Sequence, residues 1–232
     1  MEKSSLTPTL LVLGVICAIF AGCATTDEAT AEEPETKREL LLMRHGKESM
    51  HSLYGVDTDD VLTNEVGVMR TMLQEAGLEV VVAAAGREPL EGTTQVLQPD
   101  TIFQVVRLRD YHGVIIPCLC LGSLSTRWHA LGDEITLVRH AVAAGLPVAA
   151  QKGAIIILAE AGVLEGREYA FVSDPEATNR AFQGAFYSGP GVVQDGNIIT
   201  SSYCATEASR GHENGTPEMT RLFIVAVKAI GK

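Results

Sequence analysis

The residues able to do chemistry gather around one corner of this sequence. Pro147-Val-Ala-Ala-Gln-Lys-Gly-Ala-Ile-Ile-Ile-Leu-Ala-Glu-Ala-Gly162 reads as a short buried strand, a sharp turn at Gln151-Lys152-Gly153, and a helix packed straight onto the strand. A strand-corner-helix exposes one side chain at the carboxyl edge of a sheet, beside a helix N-terminus that favours negative charge. Enzymes often place a nucleophile on such a corner, yet this one carries neither Ser nor Cys. Lys152 is the reactive group at hand. A desolvated amine can form a Schiff base with a carbonyl substrate, whereas a solvated lysine only holds an anion by charge.

Cys118 follows a second apolar run, Val114-Ile-Ile-Pro117, and in an open α/β sheet the end of such a strand faces the crevice. A thiol near a helix N-terminus can be reactive, although a small buried cysteine is the commoner case. Cys118 and Cys120 lie two apart, on one face of an extended segment, which strains a disulfide between them. No second Cys-x-Cys and no clustered His completes a zinc set, so neither a metal nor another cofactor is expected. Cys204 is available to pair with Cys118 or Cys120 in an oxidising compartment. His45, His51, His112, His129 and His140 have no partner at metal spacing and read as surface or internally satisfied histidines. Trp128 lines the crevice mouth or caps the core.

The elements that must position these groups are legible in the hydropathy. Glu39-Leu-Leu-Leu-Met43 is apolar throughout, as a strand buried on both faces of a parallel sheet would be. Leu62, Val66, Met69, Leu73 and Ala76 follow helical spacing, with Gly77 closing the helix. Glu79-Val-Val-Val-Ala83 and Val114-Ile-Ile116 are further strands, with Thr93 to Leu97 a short strand or hairpin arm between them. A helix from Gly132 to Gly145 leads into the strand at Pro147. Beyond Gly166 the pattern turns to strands at Tyr169-Ala-Phe-Val172 and Ala185-Phe-Tyr187, then a hairpin over residues 192–200. Thr216 to Ile230 closes the chain as an amphipathic helix with Pro217 in its first turn. The alternation predicts an α/β sandwich with helices on both faces of the sheet.

Three segments in matching order resemble the DJ-1/PfpI family of the class I glutamine amidotransferase-like superfamily. They are Asp110-Tyr-His-Gly-Val-Ile-Ile-Pro117, Ala144-Gly-Leu-Pro-Val-Ala-Ala150 with Leu158-Ala-Glu-Ala-Gly-Val-Leu-Glu-Gly-Arg167, and Val193-Gln-Asp-Gly-Asn-Ile-Ile-Thr-Ser201. The resemblance implies a flavodoxin-like three-layer α/β/α sandwich with a mostly parallel sheet, over roughly residues 38–230, and a homodimer. In that family the corner usually reads Ala-Ile-Cys-His-Gly-Pro, with the Cys as nucleophile. Aligning on Gly153 puts Gln151 at the Cys position, whereas counting back from Leu158 puts Lys152 there; neither supplies a thiol. The family's acid comes from the loop after the first strand, which implies Glu48, in Gly46-Lys47-Glu48, as its counterpart. A Pro-Gly-Gly turn is replaced here by Pro117-Cys118-Leu119. Gln151, Gly153 and Pro117 would line the crevice, with Glu48, Cys118 and Lys152 as the catalytic candidates.

Ahead of this domain, Lys3 precedes an apolar run from Leu10 to Phe20 that ends in Phe20-Ala21-Gly22-Cys23. This resembles a bacterial lipoprotein signal over residues 1–22, and the run is short for a spanning helix. It implies a lipid on Cys23, with Ala24 resembling a periplasm-facing outer-membrane address. Residues 23–37 are rich in Thr, Ala, Glu and Pro and predict a flexible acidic tether, with the domain at 38–232. The charge balance, Asp+Glu 29 against Lys+Arg 18 with no dense basic run, argues against a nucleic-acid partner. The leading expectation is a lipid-anchored binding or structural member that has lost the nucleophile and holds a small ligand. The alternatives are a hydrolase or carbonyl-processing enzyme using Cys118 or Lys152, and a thiol redox sensor.

Overall fold

The computed structural model describes residues 38–43, 58–92, 94–118, 130, 132–176, 179–208 and 211–230. The signal and tether with Cys23, and Glu48, Cys120 and Trp128, lie outside the described residues. The first strand, β1 (Arg38–Met43), precedes a helical stretch, α1, made of Thr58–Val61, a six-residue π segment Leu62–Gly67, and Val68–Glu75. Next come β2 (Glu79–Ala84), β3 (Leu90–Glu91), β4 (Val96–Leu97), β5 (Thr101–Ile102) and β6 (Gly113–Ile116). Helix α2 (Gly132–Ala143), β7 (Val148–Gln151) and α3 (Ile155–Glu160) follow, and then β8 (Glu168–Tyr169) and β9 (Phe186–Tyr187). The chain ends with β10 (Val192–Asp195), β11 (Ile198–Ser201), α4 (Ala205–Ala208) and α5 (Thr216–Ala229).

Seven strands form one sheet in the order β10-β11-β7-β6-β1-β2-β5, parallel throughout except for the β10–β11 hairpin. Successive side chains on a strand point to opposite faces, and the core divides accordingly. Val114, Ile116, Val148, Ala150 and Ile198 pack with Leu137, Val138 and Ala141 of α2 and with α3. Ile115, Ala149 and Ile199 pack on the other face with Met69 and Leu73 of α1 and Met219, Phe223 and Val227 of α5. The fold is thus an α/β sandwich with helices on both faces of a mostly parallel sheet.

Two regions differ in detail from the sequence expectation. The strand expected over residues 169–172 shortens to Glu168–Tyr169, because other acceptors take the amides beyond it. Ala170 N–H donates to Thr200 Oγ1 at 2.9 Å and Phe171 N–H to Gly189 O at 3.2 Å. The arm expected at residues 93–97 is the antiparallel hairpin β3–β4, separate from the main sheet. It is tied to the start of α1 through Asp59, whose carboxylate accepts from the amides of Thr94 at 2.9 Å and Gln95 at 3.0 Å. Among the described residues no helix is long and apolar enough to cross a membrane.

Phe223 of α5 packs closely over Gly113 of β6. A Cβ added there would meet Phe223 Cζ at 2.6 Å and Glu39 Oε2 at 2.8 Å, both in fully buried surroundings. Gly113→Ala should therefore lower the free energy of unfolding by about 1–3 kcal/mol, the usual cost of overpacking a core. A chemical denaturation midpoint unchanged from the parent chain would disprove this packing.

Candidate functional site

Parallel strands deliver their carboxyl ends to one edge, and three of them lie side by side here. Ile116 of β6 pairs with Ala150 of β7, and Ser201 of β11 pairs with Gln151 of β7. The next residues along each strand therefore meet: Pro117-Cys118 after β6, Lys152 after β7, and Tyr203-Cys204 after β11. Ligand and catalytic sites of open α/β sheets form at this edge.

Lys152 occupies the corner itself. Its φ is +47°, the only positive φ of a non-glycine among the described residues. A left-handed backbone costs a side-chain-bearing residue roughly 1–2 kcal/mol, and such strain concentrates at functional positions. Gln151, the other residue that could be matched to the family's nucleophile, is still extended at φ −110° and fully buried. Its amide nitrogen donates to Tyr203 O at 2.8 Å and to Thr216 Oγ1 at 2.9 Å. Gln151 thus ties the end of β7 to the start of α5. Gly153 and Pro117 are buried beside it.

The Lys152 ammonium forms an ion pair and hydrogen bond with Glu207 of α4, the two side chains being 18% and 8% exposed. Burial alone would lower the lysine pKa. The hydrogen bond that Lys152 donates to Glu207 and the nearby Cys118 and Cys204 outweigh burial, so the net shift is upward. An amine so held stays protonated at neutral pH, which opposes Schiff-base chemistry.

A second acid at this edge, after Glu207, is Glu65, which sequence reasoning passed over. It sits in the π segment of α1 with no exposed surface, and its Oε1 accepts the backbone N–H of Cys118. Its Oε2 is buried without a hydrogen-bond partner. Burial first, and then Cys204, push its pKa well up; the Cys118 amide and Lys152 pull in the other direction. The signal was present in the sequence: Glu65 stands three residues after Leu62 and four before Met69, on the apolar stripe of the helix. A carboxyl on such a stripe is either costly or used.

Cys118 and Cys204 are both buried and not in a disulfide. The Cys204 thiol is pushed far up by its hydrogen bond to Cys118, then by burial, while Thr206 Oγ1 at 3.0 Å and Lys152 act against this. The donor atoms of Glu65, Cys118 and Cys204 all lie within 4.8 Å of one another. Of the histidines, His112 accepts the Arg38 amide through Nδ1 at 3.3 Å, and His140 is exposed on α2. His45, His51 and His129 lie outside the described residues.

An open parallel sheet, with a strained corner residue and an acid facing it at the carboxyl edge, defines a flavodoxin-like domain of nucleophile-elbow type. The DJ-1/PfpI family profile matches residues 56–209, so the chain belongs to the DJ-1/PfpI family. It is 32% identical over 131 residues to an uncharacterized protein of Archaeoglobus fulgidus, covering 56% of this chain and 75% of that protein. It superposes on a ThiJ/PfpI domain protein from Brachyspira murdochii with a TM-score of 0.63 at 18% identity, covering 85% of this chain and 99% of that one. Drosophila melanogaster DJ-1beta gives a TM-score of 0.54 at 23% identity, covering 85% and 92%.

The protonation of Glu65 has a measurable sign. A carboxyl whose folded pKa is raised binds more protons folded than unfolded, so stability falls as pH climbs above its unfolded value of 4.5. The groups acting on it are Cys204, Lys152 and Asp60, together with the Cys118 amide. Glu65→Gln keeps the acceptor for that amide and removes the titration. In metal-free buffer the melting temperature of the parent should therefore drop relative to Glu65→Gln as pH rises from 5 to 8. Parallel pH profiles for the two proteins would show that Glu65 is ionised.

Proposed function

We propose that this chain is a non-hydrolytic DJ-1/PfpI domain in which the nucleophile position is held by Lys152, so that the domain acts as a small-ligand-binding or structural protein. The observation that carries this reading is the Lys152–Glu207 ion pair at the strained corner. The backbone of a nucleophile elbow is kept, while its side chain is neutralised by a neighbour from the next element.

The surrounding groups support the same reading, since each is biased toward its proton-bearing form. Lys152 is an ammonium, the Cys204 thiol is pushed up by Cys118 and burial, and the Glu65 carboxyl is raised by burial. A nucleophile needs the opposite bias: a thiolate, or a neutral amine. Glu48 is not needed for this reading, because Glu65 supplies an acid at the edge.

The enzymatic alternative, with Cys118 or Lys152 as nucleophile, predicts a different reactivity. The full chain is treated at neutral pH with limiting iodoacetamide, and separately with an aldehyde and borohydride, and the modified residues are located by mass spectrometry. Cys118, Cys204 and Lys152 should label no faster than in the denatured chain. Selective, accelerated labelling of Cys118 or Lys152 would sink the non-catalytic reading and direct the search to carbonyl substrates.

The N-terminal pattern ending at Cys23 extends the proposal to place. We infer an exported domain carried on residues 23–37 and anchored to a bacterial membrane through a lipid on Cys23, with a homodimer as the working assembly. Cys23→Ser should move the protein from the membrane to the soluble fraction of lysed cells; retention in the membrane pellet would refute the lipid anchor.

A further inference from the structure

We propose that Glu65, Cys118 and Cys204 form a binding site for a single zinc-class divalent cation at the carboxyl edge of the sheet. The three residues come from three separate elements: the π segment of α1, the end of β6 and the loop after β11. Their donor atoms lie within 4.8 Å of one another, and all three side chains are buried. Zinc binds sulfur at about 2.3 Å and carboxylate oxygen at about 2.0–2.2 Å, which puts donors of one tetrahedral ion roughly 3.5–4 Å apart. No present separation exceeds that spacing by more than about 1 Å.

A second observation points to a ligand independently of the cluster. Glu65 is fully buried, and its Oε2 has no hydrogen-bond partner, while Oε1 is anchored by the Cys118 amide. An orphaned buried carboxyl oxygen costs free energy that a coordinated cation would recover. The anchored oxygen serves as the orienting contact that metal ligands commonly have.

The chemistry of the set selects the ion. Two thiolates favour zinc-class ions over magnesium or calcium, and a carboxylate favours a dication over cuprous ion. Loading releases one proton from each thiol and one from the Glu65 carboxyl, and forms two metal–sulfur bonds and one metal–oxygen bond. No electrons are transferred. Three anionic donors exceed a dication by one charge, and the Lys152 ammonium, which acts electrostatically on all three but is also paired with Glu207, offsets that excess in part. The fourth tetrahedral position is left to water or an exogenous anion. The site does not depend on whether Lys152 is ever a nucleophile, and so stands or falls apart from the proposed function.

The test uses the full chain, reduced with a phosphine and stripped with chelator, then titrated with cobalt(II) as the spectroscopic probe. The expected result is saturable thiolate-to-cobalt charge-transfer absorption at one ion per chain, displaced by zinc. Zinc should also protect Cys118 and Cys204 of the unmutated protein from alkylation, a readout that needs no variant. Cys118→Ser and Cys204→Ser should each remove most of the absorption, and Glu65→Gln should weaken cobalt binding by about 10-fold or more. Any of three results overturns the proposal: no charge-transfer band from the reduced chain, a band that persists in the Cys118→Ser/Cys204→Ser double variant, or alkylation of both thiols at the same rate with and without zinc.

Discussion

A parallel sheet has no choice about where its strands finish, and this constraint organises everything at the functional edge. The pairing of β6, β7 and β11 in one direction brings Cys118, Lys152 and Cys204 together although they are far apart in the chain. Gln151 then locks the arrangement, bonding both to the turn after β11 and to the first residue of α5. The chemistry available at the site follows from which side chains the three strand ends happen to carry.

Those side chains form a compact set of buried ionisable groups, and the balance among them decides what the site can do. Lys152 and Glu207 neutralise each other, whereas Glu65 resists ionising chiefly because it is buried, and Cys204 because of its hydrogen bond to Cys118 and its burial. A reacting thiol of the usual DJ-1/PfpI kind needs a cation nearby and an accessible sulfur. Here the cation, Lys152, sits at the corner of β7, and the two thiols, Cys118 and Cys204, are buried after the neighbouring strands.

Much of the fold was legible because strands buried on both faces leave apolar runs, and amphipathic helices leave stripes, that few other structures produce. The sheet, the crossover helices and the closing hairpin lie where the hydropathy placed them. Three features were not legible, each for a local reason. The short strand β5 at the sheet edge is too brief for any periodicity. Helix α4, which supplies Glu207, is four residues long and held by its contacts rather than by propensity. The family resemblance pointed to Glu48 in the loop after β1, which lies outside the described residues, and Glu65 on the apolar stripe of α1 was passed over. The spacing of Leu62, Glu65 and Met69 carried the information, and only the meeting of strand ends gave it meaning.

The π segment of α1 has a consequence for how one helix can satisfy two partners. Its N-terminal turn is held in phase by Asp59, which grips the β3–β4 hairpin, while its C-terminal turns are held in phase by Met69 and Leu73 against α5. A regular helix advances about 100° per residue, so two such fixed ends need not agree in azimuth. The widened turn lies between these two held ends, in the residues that present Glu65. Deleting a single residue from this segment would rotate one end against the other, so the orientation of the acid and the seating of a distant hairpin form a single degree of freedom.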